Sequence, residues 1–241
     1  MRVPWARYDV DDSPVVGALG EILDAVYNPV TFALDAEEAW RVVEDAGAAS
    51  LVVSTEGGLD SAFAPVVVSE DRRTLRTHLA KANPWTRWLR VDSEVLLLFV
   101  AASAYVSPRH YPSRFDNPRV VPTWNYALAQ IRATATIHDD DEWKREQVLA
   151  LTHHFERGRH PEWLVDDLED EFVSTQLKGI IGLELTVLSI EGKGKLSQNR
   201  PEVDRLGVRD AFSHGTLAEQ LVARRMPAQD IGGDARRATG G

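Results

Sequence analysis

The chain has 241 residues, 44% of them hydrophobic and 27% charged, which suits one large domain or two small ones with a substantial core. A formal net charge of −10 excludes a chain that wraps nucleic acid by general electrostatics, while a local basic patch stays compatible with it. The lack of cysteine excludes disulfides, thiolate metal sites and a catalytic thiol.

The opening "MRVPWARYDVDDSP" has no apolar segment of the signal-peptide kind. The longest apolar run, "VLLLFVAASAYV" at 95–106, is too short to span a bilayer and reads as a buried strand. A cytoplasmic protein without membrane association is therefore expected. Residues 15–26 suggest a short amphipathic helix ahead of Pro29. A stronger helix is expected from Asp35 to about Ala46, with Asp35 as N-cap, Glu38 three residues on, an apolar face of Ala39, Trp40 and Val43, and Gly47 as the stop.

The hydrophobic period then changes to two. "AASLVVST", "SAFAPVVV" and "RTLRTHLA", joined by "EGGLD" and "SEDR", predict three short strands in a meander. Asn83-Pro84 opens a brief helix with Trp85, Trp88 and Leu89. Strands are expected again at 94–106 and 122–137, around the loop "SPRHYPSRFDNPR". Two helices follow. The first starts in Asp139, Asp140, Asp141 and Glu142, acids that favour a helix N-terminus. The second is expected to open at Pro161 and to carry Leu164, Leu168 and Phe172 on one face. "IIGLELTVLSI" predicts a last strand with Ile181, Leu183, Leu185 and Val187 inward. A C-terminal helix and a disordered tail from about Pro227 complete the chain. The sum is an antiparallel barrel of roughly six strands with late helices, an α+β fold.

Most candidate chemistry reads as structural. His153 and His154 are adjacent, so on a helix they point about 100° apart and cannot chelate one ion together. No phosphate-binding glycine motif and no GxSxG element is present. The polar-aromatic clusters are different. His78, Lys81 and Asn83 gather at a strand end and a helix start, a setting that suits an anion. "AYVSP" at 104–108 and "VPTWNY" at 121–126 put flat rings, hydroxyls and an amide at strand edges where packing alone calls for none of them. "KLSQNR" at 195–200 adds cations and amides. Together these groups suit a phosphorylated planar heterocycle such as a flavin.

"HLAKANPW", "AYVSP", "VPTWNY", "LKGIIGLEL" and "IEGKGKLSQNRPEVDRLGV" resemble, in order and spacing, the PaiB-type family of FMN-binding negative transcriptional regulators. That family is similar in fold to the pyridoxamine 5′-phosphate oxidase-like split barrel. The resemblance implies an α+β, antiparallel split β-barrel of the FMN-binding type with peripheral helices and a C-terminal helix. It implies a homodimer with FMN in the cleft between subunits. The chain is expected to divide into an N-terminal extension at 1–34, whose residues from about 9 depart from the family as an addition, one FMN-binding domain at 35–226 and a disordered tail at 227–241. His78, Lys81 and Asn83 fall where split barrels hold the phosphate and ribityl end. Thr123, Trp124 and Asn125 fall on the strand that approaches the flavin from the partner, and Lys195 near a cofactor-contacting cation; Tyr105 and Ser107 are weaker members of the set. One departure is the second strand, commonly Ala-Thr-His-Leu-Pro in the family and here "SAFAP", apolar at Phe63 and Ala64.

Two functions follow. The first is a flavin-binding repressor, with DNA as a candidate partner through a local basic surface such as Arg109, Arg114 and Arg119, although no helix-turn-helix is evident. The alternative is a flavin- or deazaflavin-dependent oxidoreductase on the same barrel.

Overall fold

A computed structural model describes residues 27–89 and 93–227. The helix expected at 15–26 and nearly all of the C-terminal tail lie outside the described residues. Helix α1 (Ala36–Ala46) forms for the reasons its sequence suggests. The Asp35 side chain accepts from the Glu38 amide, the Glu38 carboxylate accepts from the Asp35 amide, and Gly47 ends the helix at φ 64°. A left-handed φ is the conformation glycine adopts without steric cost.

Strand β1 (Ala33–Leu34) precedes α1, and β2 (Ala48–Thr55) and β3 (Gly58–Pro65) follow it as a hairpin. After the two-residue β4 (Val67–Val68) come β5 (Thr74–Ala80), the one-turn helix α2 (Trp85–Trp88), β6 (Ser93–Val106) and β7 (Thr123–His138). Helices α3 (Asp141–Glu156) and α4 (Asp170–Leu177) lead to β8 (Ile180–Lys195), and α5 (Glu202–Ser213) and α6 (Leu217–Arg225) close the chain.

All strand pairs are antiparallel, in the order β3-β2-β6-β7-β8-β5-β4, with β1 also on β8. The strands at the two ends of this order are successive pieces of one stretch, residues 58–68, so the sheet curls until its edges meet. Thr77 Oγ1 on β5 donates to the Pro65 carbonyl across that seam, at 2.7 Å. The expected meander holds, with a break inside its second strand: β2 pairs with β3, and β4, the end of "SAFAPVVV", pairs with β5, whose other edge pairs with β8. The alternation in each strand names its buried face, while the partner is chosen by the closure of the barrel.

Leu51, Val53, Leu75, Val95, Leu97, Phe99, Ile131, Leu183 and Leu185 fill the interior, each large aliphatic contributing about 1.5–3 kcal/mol by burial. The long strands β6, β7 and β8 run past the barrel, and α5 and α6 cover the projecting part in a second core of Ala104, Val106, Tyr111, Leu196, Val208, Phe212, Val222 and Met226. The single C-terminal helix expected is thus two, separated by a turn before the capping box of Thr216 and Glu219.

Two other expectations fail locally. Residues 161–164 are not helical, and α4 begins only at Asp170. Leu164 and Phe172, the apparent apolar face, are exposed, whereas Val165, Val173 and Leu177 are buried. Packing against α3 selects a different stripe from the one the spacing suggests. Strand β8 also continues through "EGKGK" to Lys195, and a bulge at Leu188 leaves Val187 only half-buried.

Residues 27–34 run along β8. Asn28 Nδ2 donates to the Gly192 carbonyl, and Gln198 Nε2 donates to the Thr31 carbonyl.

Candidate functional site

The predicted site residues fall at two places, and β8 measures the distance between them. His78 on β5 is paired with Gly182, near the start of β8, and Tyr126 on β7 is paired with Lys195 at its end. Thirteen residues of β8 separate these points, up to about 43 Å of extended strand.

The first place is the end of β5. Leu75, Thr77 and Leu79 face the barrel interior, so alternation turns Arg76 and His78 outward. The Lys81 amide donates to the Gly179 carbonyl and the Asn83 amide to the Ala80 carbonyl. Asn83 Oδ1 accepts from the Trp85 amide at 3.0 Å, as its place before Pro84 predicts. The Trp85 indole donates to Asp60 Oδ2 on β3 at 3.1 Å. His78 is half-buried with Nδ1 out of reach of any partner, and burial pushes its imidazole pKa below the ordinary value.

Lys81 Nζ lies 2.5 Å from Asp139 Oδ2. Asp139 Oδ1 lies 3.2 Å from the ammonium of Lys144, which is also 2.9 Å from Asp141. The hydrogen bonds from Lys81 and then Lys144 hold the Asp139 carboxyl below the usual range. The acidic run therefore divides its work. Asp140 is the N-cap, accepting from the Trp143 amide, Asp141 and Glu142 sit in the first turn, and Asp139 stands outside the helix with the lysines. Beside them, Trp143 stacks on His138, with centroids 4.2 Å apart and planes at 3°. Its ring rests on Gly182, where a Cβ would come within 2.1 Å of it.

The second place joins the end of β6 to the start of β7. Tyr105 and Trp124 are cross-strand partners, each about half exposed, with ring centroids 6.0 Å apart at 61°. The Trp124 indole donates to Ser103 Oγ at 2.6 Å. Lys195 Nζ donates to Thr123 Oγ1 at 2.7 Å. Ser107 caps a single 3-10 turn at Pro108–His110. Asn125 points the other way. It is fully buried, and its Nδ2 donates to Ser197 Oγ at 2.9 Å. Ser197 has φ 65°, an uncommon conformation for a residue with a Cβ, and the Asn125 side chain pins it.

The structure thus gathers His78, Lys81 and Asn83 at one end and Tyr105, Ser107, Thr123, Trp124, Asn125 and Lys195 at the other. Sequence reasoning missed Asp139, Lys144 and Asp60. Asp139 carried one signal, being one acid more than a cap and a first turn require. Arg114 in the basic loop serves the loop itself, donating to the Arg109 and Tyr111 carbonyls and lying over the Phe115 ring. Among the described residues, no group of three or more His, Asp or Glu is arranged to hold a metal ion, and no helix is long and apolar enough to cross a membrane.

The groups present fit a phosphorylated flavin in kind: a cation and an orphaned imidazole nitrogen for the polar end, and half-exposed aromatic faces for the ring. Comparison with known proteins agrees. The family described as "Putative FMN-binding domain" matches residues 26–189. "Protease synthase and sporulation protein PAI 2" of Bacillus subtilis is 31% identical over 186 residues, covering 76% of this chain and 87% of that protein. Two solved structures share the fold. They are the FAD and heme binding protein from Mycobacterium smegmatis (TM-score 0.50, 18% identity, 66% of this chain and 71% of that one) and the conserved hypothetical protein Rv2991 from Mycobacterium tuberculosis (TM-score 0.52, 10% identity, 73% and 95%). The architecture is the split barrel, and the chain belongs to the FMN-binding domain family of the PaiB type.

Proposed function

We propose that the chain is a cytoplasmic homodimer that holds FMN between its subunits and acts as a negative regulator of transcription. One observation carries the cofactor reading: the candidate residues form two incomplete half-sites near opposite ends of β8. A two-fold axis sets the Lys81 end of one chain against the Trp124 end of the other, which a single chain cannot do. His78, Lys81 and Asn83 then receive the phosphate and ribityl end, and the partner's Trp124 and Tyr105 supply the aromatic wall. Lys195 and Thr123 line the same edge, with Ser107 at its rim. Asn125 acts from beneath, by holding Ser197.

The outer sheet face suits this pairing. Val100, Tyr105 and Trp124 are exposed on it, beside half-buried Leu98, Tyr126 and Leu128, and apolar surface of this extent favours a partner. The regulatory output rests on the sequence resemblance and on the Bacillus relative. DNA as a direct partner needs cations from both subunits, with Arg109 and Arg119 as the exposed members of the basic loop.

Light scattering and the absorption spectrum of the purified protein, with mass analysis of released ligand, test the cofactor reading. A dimer carrying or taking up FMN is expected; a monomer that FMN leaves unchanged overturns it. A DNA footprint that depends on the protein tests the regulatory output, and NAD(P)H-dependent turnover without any footprint would favour an oxidoreductase instead.

A further inference from the structure

We propose that Asp139 competes with the flavin phosphate for Lys81, holding it at the end of β5 until a phosphate takes it over while Lys144 keeps the carboxylate neutralised. This rests on the reading of Lys81 as a phosphate ligand. Asp139 has one cation on each oxygen, Lys81 on Oδ2 and Lys144 on Oδ1, and the two differ in their freedom to leave.

The Lys144 side chain is 2% exposed and its ammonium sits between Asp139 and Asp141. Taking a buried ammonium from its carboxylates leaves an uncompensated charge, so this partner is fixed. Burial works against the Lys144 charge, yet its hydrogen bonds to the Asp141 and Asp139 carboxylates outweigh it and raise the pKa. The Lys81 side chain is 49% exposed, and its ammonium has three donors to offer. This partner can be shared or surrendered.

A phosphate monoester carries about −1.5 to −2 charges at neutral pH and outcompetes a single carboxylate for an exposed ammonium. When Lys81 turns to it, Asp139 is not stranded, because Lys144 stays. A ligand without a phosphate gains nothing from the exchange. Asp139 therefore sets how strongly the site separates phosphorylated from unphosphorylated flavin. The plainer reading is a staple between β5 and the β7–α3 junction, and an exposed ion pair of that kind contributes little.

The two readings differ in sign. Asp139→Asn removes the carboxylate that competes for Lys81, so FMN binding by calorimetric titration should tighten roughly two- to five-fold, the range an exposed ion pair spans, with riboflavin unchanged. Lys144→Met leaves Lys81 as the carboxylate's main cation, so FMN should weaken by a similar factor, again without an effect on riboflavin. Lys144→Arg should restore wild-type binding. Asp141→Asn removes the same charge without touching Lys81 and should tighten FMN less than Asp139→Asn does. In a Lys81→Ala background all these differences should vanish.

Changes of the same sign in Asp139→Asn and Lys144→Met overturn the proposal, as does a gain in Asp141→Asn equal to that in Asp139→Asn. If Lys144→Met does not fold, Asp139→Asn decides against its Asp141→Asn control, since a staple predicts unchanged or weaker binding. If Lys81→Ala weakens FMN and riboflavin equally, Lys81 is not a phosphate ligand, and that reading falls together with this one. If Lys81→Ala is selective for FMN while Asp139→Asn changes nothing, only the role of Asp139 falls.

Discussion

The two half-sites solve different physical problems. At the β5 end, charges gather at the start of a helix: Lys81, Asp139, Lys144 and Asp141 form one chain of ion pairs, and Trp143 lies on Gly182. At the β6–β7 end the groups facing outward are aromatic and half exposed, and the polar residue between them, Asn125, is turned into a core. One end offers mostly charge, its Trp143 ring being stacked on His138, the other a stacking surface with little charge. A flavin phosphate needs both, which is why the proposed site spans two chains.

The difference is sharpest at Gly182. Adding a Cβ there drives into the Trp143 ring at 2.1 Å, and overpacking of this kind costs roughly 1–3 kcal/mol. Gly182→Ala should lower the melting temperature by several degrees, and adding Trp143→Ala should return part of the loss. An unchanged melting temperature would show that α3 sits loosely on the sheet. At the other end, Asn125→Ala leaves Ser197 without its buried partner and should cost about 1–3 kcal/mol in a denaturant melt. A negligible loss would show that water replaces the amide.

Trp124→Ala should behave in the opposite way. The side chain is half exposed, so apo stability should change by no more than about 0.5 kcal/mol. Flavin affinity should drop by about 0.5–1.5 kcal/mol through lost stacking. A large stability loss with flavin affinity intact would make Trp124 a core residue and break the comparison.

The smallest effect concerns pH. Burial lowers the His78 pKa in the fold, so as pH falls the unfolded chain takes up this proton first. Stability from this group is therefore lost as pH drops through the unfolded value near 6.5 and levels off below the folded one. Denaturant melts at a series of pH values should show a shallower acid slope for His78→Gln than for wild type. Equal slopes would remove His78 from the account.

Much of this was legible in the sequence, for identifiable reasons. The limits of α1, β2, β6 and β7 follow from local caps and alternation, and Asn83 does accept from the first amide of α2, although the cap position itself is Pro84. What escaped were pairings set by closure and packing. Nothing in "DDDE" reveals that Asp139 meets Lys81, 58 residues earlier. Lys144 and Gln147 are hydrophilic residues on a helix, yet both are buried; Asp139 and Asp141 meet the Lys144 ammonium, whereas neither polar atom of the Gln147 side chain has a hydrogen-bond partner. Asn125 read as a ligand-wall residue because it interrupts an apolar strand, but its partner, Ser197, is remote in sequence and strained in backbone. The half-exposed rings of Tyr105 and Trp124 were legible for a simpler reason: they lie at strand ends among prolines and polar residues that a core does not call for.

The most direct test of the shared site is a heterodimer made by co-expressing Lys81→Ala and Trp124→Ala chains with different affinity tags. If each site takes Lys81 from one chain and Trp124 from the other, one site carries both lesions and its twin carries none. Titration should then find one FMN per heterodimer bound with wild-type affinity, although each variant homodimer binds weakly at both sites. Two weakened sites, each matching one of the variant homodimers, would place Lys81 and Trp124 of a single chain around each flavin, and would contradict the account.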